Sequence, residues 1–126
     1  MSETNEPGHI GWIDMTVEDA ERLRDFYAAV AGWRPENVSM GDYDDYNMTL
    51  PDSGTPAAGI CHARGSNAGL PAQWLIYITV SDVDASAAAC VEHGGKLLVE
   101  PKAMGGGRFA VIEDPGGAAA ALYQAP

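Results

Sequence analysis

Gly11-Trp-Ile-Asp-Met-Thr-Val17 and Trp74-Leu-Ile-Tyr-Ile-Thr-Val80 stand 63 residues apart in a chain of 126. Both alternate with the period of a strand. Ile13, Met15 and Val17 oppose Trp12, Asp14 and Thr16, and Ile76, Ile78 and Val80 oppose Leu75, Tyr77 and Thr79. Each stretch then reaches an aspartate, Asp19 or Asp82. A short carboxylate accepts the free amide hydrogens of a first helical turn, so both are expected N-caps. Residues 20–31 carry Leu23, Phe26, Tyr27 and Val30 on one helical stripe, and 83–93 are an Ala-rich helix. Gly32 and Gly94-Gly95 stand where a left-handed residue ends a helix. Three short strands are expected after each helix, near 36–40, 44–50 and 57–62, and near 96–101, 107–113 and 118–123. Pro51-Asp-Ser-Gly54 and Asp114-Pro-Gly-Gly117 are matching turns before the last strand of each set. The chain reads as α+β, two tandem β-α-β-β-β modules.

A module of this size buries too little surface to stand alone. Two of them are expected to form a single domain over residues 1–126, with module one at about 9–63, a linker at 64–72 and module two at about 73–124. Helices would lie outside and curved mixed sheets would enclose a concave space, the usual place for a small-molecule ligand. A gapless offset of 63 lays Gly32 on Gly95, Tyr46 on Phe109 and Ala58 on Ala121.

Seven Lys and Arg against 18 Asp and Glu give a net charge of −11. That field repels phosphate backbones and anionic lipid, which argues against nucleic-acid and membrane partners. The apolar runs are far shorter than a membrane span. Met1–Gly8 is polar and acidic, unlike a leader sequence. Cys61 and Cys90 fit neither a disulfide scaffold nor a zinc motif, and both are expected to be buried thiols. A reduced, cytoplasmic setting is expected.

The chain resembles the vicinal oxygen chelate superfamily, which includes glyoxalase I, bleomycin-resistance proteins and extradiol dioxygenases. The resemblance is carried by Trp12-Ile-Asp-Met, Asp19, Asp25-Phe-Tyr and Ala31-Gly-Trp33, then by Trp74 to Asp84, Gly94-Gly95 and Gly107 to Ala118. It implies the paired-module fold and, in metal-dependent members, divalent-ion ligands on the first and last strand of each module. Those positions here are Trp12 and Leu75 on the first strands, and Ala121 with its offset counterpart Ala58 on the last. None offers an imidazole, carboxylate or thiolate donor, so no metal and no other cofactor is expected.

Candidate ligand-binding residues are Trp12, Asp14, Tyr46, Asn47, His62, Arg64, Trp74, Tyr77 and Arg108. Asp14 faces away from the apolar Ile13 and Met15, and Arg108 or Arg64 could pair with it. His62 ends a strand and is open to two readings, a backbone-bonded structural imidazole or a site residue. Alternation over 44–50 sets Tyr46, Met48 and Leu50 against Asp45, Asn47 and Thr49, and one of these faces should line the cavity. The acidic stretch Gly41–Met48 suits a surface hairpin or a lid. His93 suits a helix C-terminus, and His9 a solvated terminal segment. Three readings of function follow. The first is a metal-independent binder of a small organic molecule. The second is an enzyme of lyase, isomerase or dioxygenase type, with displaced metal ligands or with Asp14 and His62 as acid–base groups. The third is an accessory interaction domain with a filled cavity. By analogy with related small proteins, a homodimer is expected.

Overall fold

A computed structural model describes residues 5–126; the first half of the polar stretch Met1–Gly8 lies outside the described residues. The described elements run β1 (Ile10–Val17), α1 (Ala20–Ala31), β2 (Arg34–Ser39), β3 (Asp44–Thr49), β4 (Pro56–His62), a short 3₁₀ turn (Gly65–Asn67), β5 (Leu75–Thr79), α2 (Val83–Glu92), β6 (Lys96–Met104), β7 (Gly107–Glu113) and β8 (Ala119–Gln124). The α+β reading and the doubled β-α-β-β-β order hold. Two compact units result. One is Ile13–Trp74, and the other joins residues through Trp12 to Leu75–Pro126. The N-terminal segment is tied into the latter by Gly8 N–H donating to Thr79 O and Thr79 N–H donating to His9 O, both at 2.8 Å.

The Ile13–Trp74 unit has the strand order β2-β3-β4-β1. β1 and β4 run parallel, with Asp14 opposite Gly59 and Met15 opposite Ile60. β3 and β4 are antiparallel, with Tyr46 opposite Ile60 and Asn47 opposite Gly59. Asp19 caps α1 by accepting from Arg22 N–H at 3.2 Å, and Gly32 ends it at φ 76°, a conformation an L side chain would strain. α1 covers one sheet face. There Met15, Ala20, Tyr46, Met48 and Ile60 form the core, flanked by Val17, Leu23, Tyr27, Trp33 and Trp74.

The other unit repeats the plan with the order β5-β8-β7-β6. Tyr77 stands opposite Ala121, and Phe109 opposite Tyr123. Asp82 caps α2 by accepting from Ala85 N–H at 3.1 Å, and the Gln124 side-chain oxygen takes Val83 N–H at 2.9 Å. α2 packs Val83 against Ala110 and Leu122, flanked by Ile78, Val80 and Ile112. Asp114 closes the turn before β8, accepting from Gly116 N–H at 2.8 Å and Ala118 N–H at 3.1 Å. His93 is the C-cap of α2, as expected of a histidine at that end. Among the described residues no helix is long and apolar enough to cross a membrane.

The gapless offset of 63 holds only for the first strand and the helix start of each unit. Register sets Ile60 against Tyr46 in one unit and Leu122 against Ala110 in the other. The counterpart of Tyr46 is therefore Ala110, not Phe109. Gly59, opposite Asp14, matches Ala121, opposite Tyr77, so Ala58 is displaced by one residue from the position first assigned to it. A slip of one residue moves every side chain to the other face of a sheet.

Candidate functional site

The sheet face turned away from α1 carries the polar chemistry of the Ile13–Trp74 unit. Pairing places Asp14 and Thr16 of β1, Gly59 and Cys61 of β4, and Asp45 and Asn47 of β3 on that face. Asp14, Thr16 and Asp45 are buried, and Asn47 and Cys61 are half-buried. Cys61 lies across from Asp45 on this face. Burial pushes its thiol far above the ordinary range, and the charges of Asp14 and Asp45 push it further the same way. Both effects disfavour the thiolate that a nucleophilic cysteine needs.

Asp45 does more than face Cys61. Its Oδ1 accepts His62 N–H at 2.8 Å, where β4 has run past the end of β3, and stands 3.4 Å from His62 Nδ1. The imidazole packs edge-on against Tyr43, with centroids 5.6 Å apart, and lies 6.0 Å from the Tyr46 ring. The Arg64 guanidinium stacks over Tyr43 at 4.0 Å and reaches Asp42 at 3.8 Å. His62, Tyr43, Asp45 and Arg64 therefore meet at one end of this unit. Sequence reading set Asp45 on the same face as Asn47 but gave it no role. Its position opposite Cys61, beside a strand-ending histidine, was the available signal.

Asp14 and His62 are not brought together. Asp14 shares the open face with Asn47, whereas His62 stands opposite Val17 on the side that α1 covers. Tyr46 also lies under α1, with the Arg24 guanidinium 4.9 Å from its ring centroid. Burial raises the Tyr46 phenol above its usual range. The face of 44–49 left open is the one with Asp45 and Asn47. Trp74 packs against Tyr27 and Trp33, with centroids at 5.1 and 5.9 Å, and its Nε1–H donates to the Tyr27 hydroxyl at 3.2 Å. Arg64 goes to Asp42 rather than Asp14. Arg108 binds Asp84 at the start of α2 in a two-pronged contact, 3.0 Å from Nε and 2.8 Å from Nη2. Of the expected polar pair partners for Asp14, neither is used that way.

The sheet face of the second unit turned away from α2 is different. Leu75, Tyr77 and Thr79 of β5 line up with Ala121 and Tyr123 of β8 and with Phe109 and Val111 of β7. Leu75, Val111 and Ala121 are fully buried. Lys102 Nζ lies 5.3 Å from the Phe109 centroid. Tyr123 crosses Gly107 so closely that a Cβ there would meet the phenol oxygen at 3.0 Å.

A divalent ion does not fit the positions to which the resemblance points. Trp12, Leu75, Gly59 and Ala121 occupy them, and indole, isobutyl, hydrogen and methyl provide no lone pair for a hard cation. Elsewhere among the described residues, no three His, Cys, Asp or Glu side chains converge to hold a metal.

Known proteins share this fold. The family described as Glyoxalase/Bleomycin resistance protein/Dioxygenase superfamily matches residues 9–122. The chain is 33% identical over 120 residues to "Putative glyoxylase CFP32" of Mycobacterium tuberculosis (strain CDC 1551 / Oshkosh), covering 94% of this chain and 46% of that one. It is 33% identical over 115 residues to the anthracycline biosynthesis protein DnrV of Streptomyces peucetius, covering 91% and 41%. The chain thus spans about half the length of the curated relatives it matches. Among solved structures, a methylmalonyl-CoA epimerase in complex with methylmalonyl-CoA and NH4+ superposes with a TM-score of 0.56 at 20% identity, over 95% of this chain and 96% of that one. At that identity the likeness concerns the fold. With its doubled topology and a family match across nearly its whole length, the chain belongs to the glyoxalase/bleomycin resistance protein/dioxygenase superfamily.

Proposed function

We propose that this chain binds a small organic molecule through polar side chains, without the divalent ion used by metal-dependent members of its family. The observation that carries this reading is the sheet face of the Ile13–Trp74 unit turned away from α1. It gathers Asp14, Thr16, Asp45, Asn47 and Cys61, while the family's ligand positions bear no donor atoms. A face that gathers two carboxylates, an amide, a hydroxyl and a thiol is suited to a ligand that supplies hydrogen-bond donors. Asp14 would accept from such groups, and Asn47 would both donate and accept. Anionic ligands are disfavoured by these two carboxylates and by the net charge of −11.

Tryptophan fluorescence and thermal shift against a panel of neutral, amine-bearing and anionic small molecules test the reading, before and after a chelator wash. Binding should survive the wash. Asp14→Asn or Asn47→Ala should weaken it about tenfold or more, the worth of one hydrogen bond involving a charged or buried partner. A stoichiometric metal ion that resists the chelator, or one whose removal abolishes binding, would overturn the proposal.

A further inference from the structure

We propose that His62 is a preset proton acceptor: Asp45 fixes its Nδ1–H form and leaves Nε2 bare for a hydroxyl or N–H group of a bound small molecule. This rests on the reading that the chain binds such a molecule, and it places a further contact at the end of β4, apart from the Asp14 face.

The argument begins with Asp45. Its Oδ1 accepts His62 N–H at 2.8 Å, and the His62 Nδ1 stands 3.4 Å from that same oxygen. A carboxylate oxygen that already takes a backbone N–H acts as an acceptor toward the ring as well. The ring nitrogen facing it must then carry a hydrogen, and in the neutral imidazole the other nitrogen is left with its lone pair outward. The backbone bond and the ring contact come from the same carboxylate, so the strand end and the imidazole are held together. Tyr43 closes on one side of the ring and Tyr46 on another, and Arg64 stacked on Tyr43 keeps that wall in place. The side chain is still 19% exposed, so the pocketed ring keeps a path to solvent. A histidine that served only to brace the strand end would need the backbone contact. It would not need the contact between its ring and the same Asp45 oxygen.

Two measurements on the full chain decide the matter, and neither requires a ligand. Long-range proton–nitrogen NMR on labelled protein, at a pH where the imidazole is neutral, should find hydrogen on Nδ1 and a bare Nε2 at His62. Acylation by diethyl pyrocarbonate, mapped by mass spectrometry, should modify His62 alongside His9 and His93. Both contacts fall on one oxygen, Asp45 Oδ1, so Asp45→Ala removes them together and leaves nothing to hold hydrogen on Nδ1. The tautomer should therefore shift toward the Nε2–H form that a free imidazole favours, and acylation of His62 should slow several-fold. A native His62 with hydrogen on Nε2, a His62 that resists acylation while the other two react, or a tautomer unmoved by Asp45→Ala would each overturn the proposal. The first two results stand even if the Ala variant fails to fold. Failure of the Asp14-face binding proposal would appear separately, as ligand titrations indifferent to Asp14→Asn.

Discussion

The two units of this chain share a connectivity and a capping scheme but not a surface. Behind α1, the open sheet face presents Asp14, Thr16, Asp45, Asn47 and Cys61. Behind α2, the corresponding face presents Leu75, Tyr77, Thr79, Phe109, Val111, Ala121 and Tyr123. Position by position, Asp14 answers Tyr77, Asp45 answers Phe109 and Asn47 answers Val111. The helix-covered faces, by contrast, are apolar in both units, with Met15, Met48 and Ile60 in one and Ile78, Ala110 and Leu122 in the other. The fold constrains the face its own helix must cover, because that face drives collapse. The opposite face is free to diverge, and divergence there is where function is to be sought.

Exchanging one matched pair gives the strongest challenge to that contrast. Val111 is fully buried among apolar neighbours, so Val111→Asn loses packing and strands an amide. A loss of about 2–4 kcal/mol is expected from the urea unfolding midpoint. The reverse change, Asn47→Val, removes a half-buried amide from a polar face and should alter stability by less than about 1 kcal/mol. It should nonetheless lower small-molecule binding. Equal destabilisation by the two substitutions would mean that the faces do not differ in the way their residues imply.

The contrast also marks how far the sequence could be read. The paired strands, both aspartate caps, the glycine ends of the helices and the turns at Pro51–Gly54 and Asp114–Gly117 follow from local chemistry, and each was placed to within a few residues. Register is not local. The hairpins of the two units differ by one residue in each direction, so Tyr46 lies under α1 with Ala110 as its counterpart, and Gly59 takes the place assigned to Ala58. An alternating pattern such as Tyr46, Met48 and Leu50 states which residues share a face, but not which face the helix will cover. Pairings between distant charged groups were likewise illegible. Arg108 is drawn to Asp84, 24 residues away in the chain, because α2 sets that carboxylate above β7.

Two cysteines sharpen the comparison at the level of single atoms. Cys61 lies on the polar face between two carboxylates, and Cys90 lies on α2, with its sulfur 3.8 Å from Lys96 O. The raised thiol of Cys61 favours folding fully below the ordinary thiol value and is lost as the pH rises above it, because the unfolded chain then releases a proton that the folded chain retains. Taking an ordinary value near 8.5, stability should drop by about 2 kcal/mol by pH 10. Cys61→Ala should flatten that alkaline decline. Iodoacetamide should label Cys61 in the folded protein more slowly than in the urea-unfolded protein. Rapid labelling in the folded state, or an alkaline slope unchanged in the Ala variant, would remove the carboxylates' hold on this thiol.

The smallest expected effect concerns Arg108, the cation whose sequence position suggests a ligand clamp. Its guanidinium makes two parallel contacts with Asp84, but both side chains are partly open to water, at 39% and 59% exposure. Pairs of that kind contribute about 0.5–1 kcal/mol when the geometry is two-pronged, and salt screens them. A double-mutant cycle through Arg108→Ala and Asp84→Ala should return a coupling of that size at low ionic strength and a smaller one at high salt. Since the fork is engaged on the α2 side, Arg108→Ala should leave small-molecule affinity on the Asp14 face unchanged. A large loss of affinity with no coupling to Asp84 would show that Arg108 leaves Asp84 to meet the ligand, and would give the apolar unit a polar contact of its own.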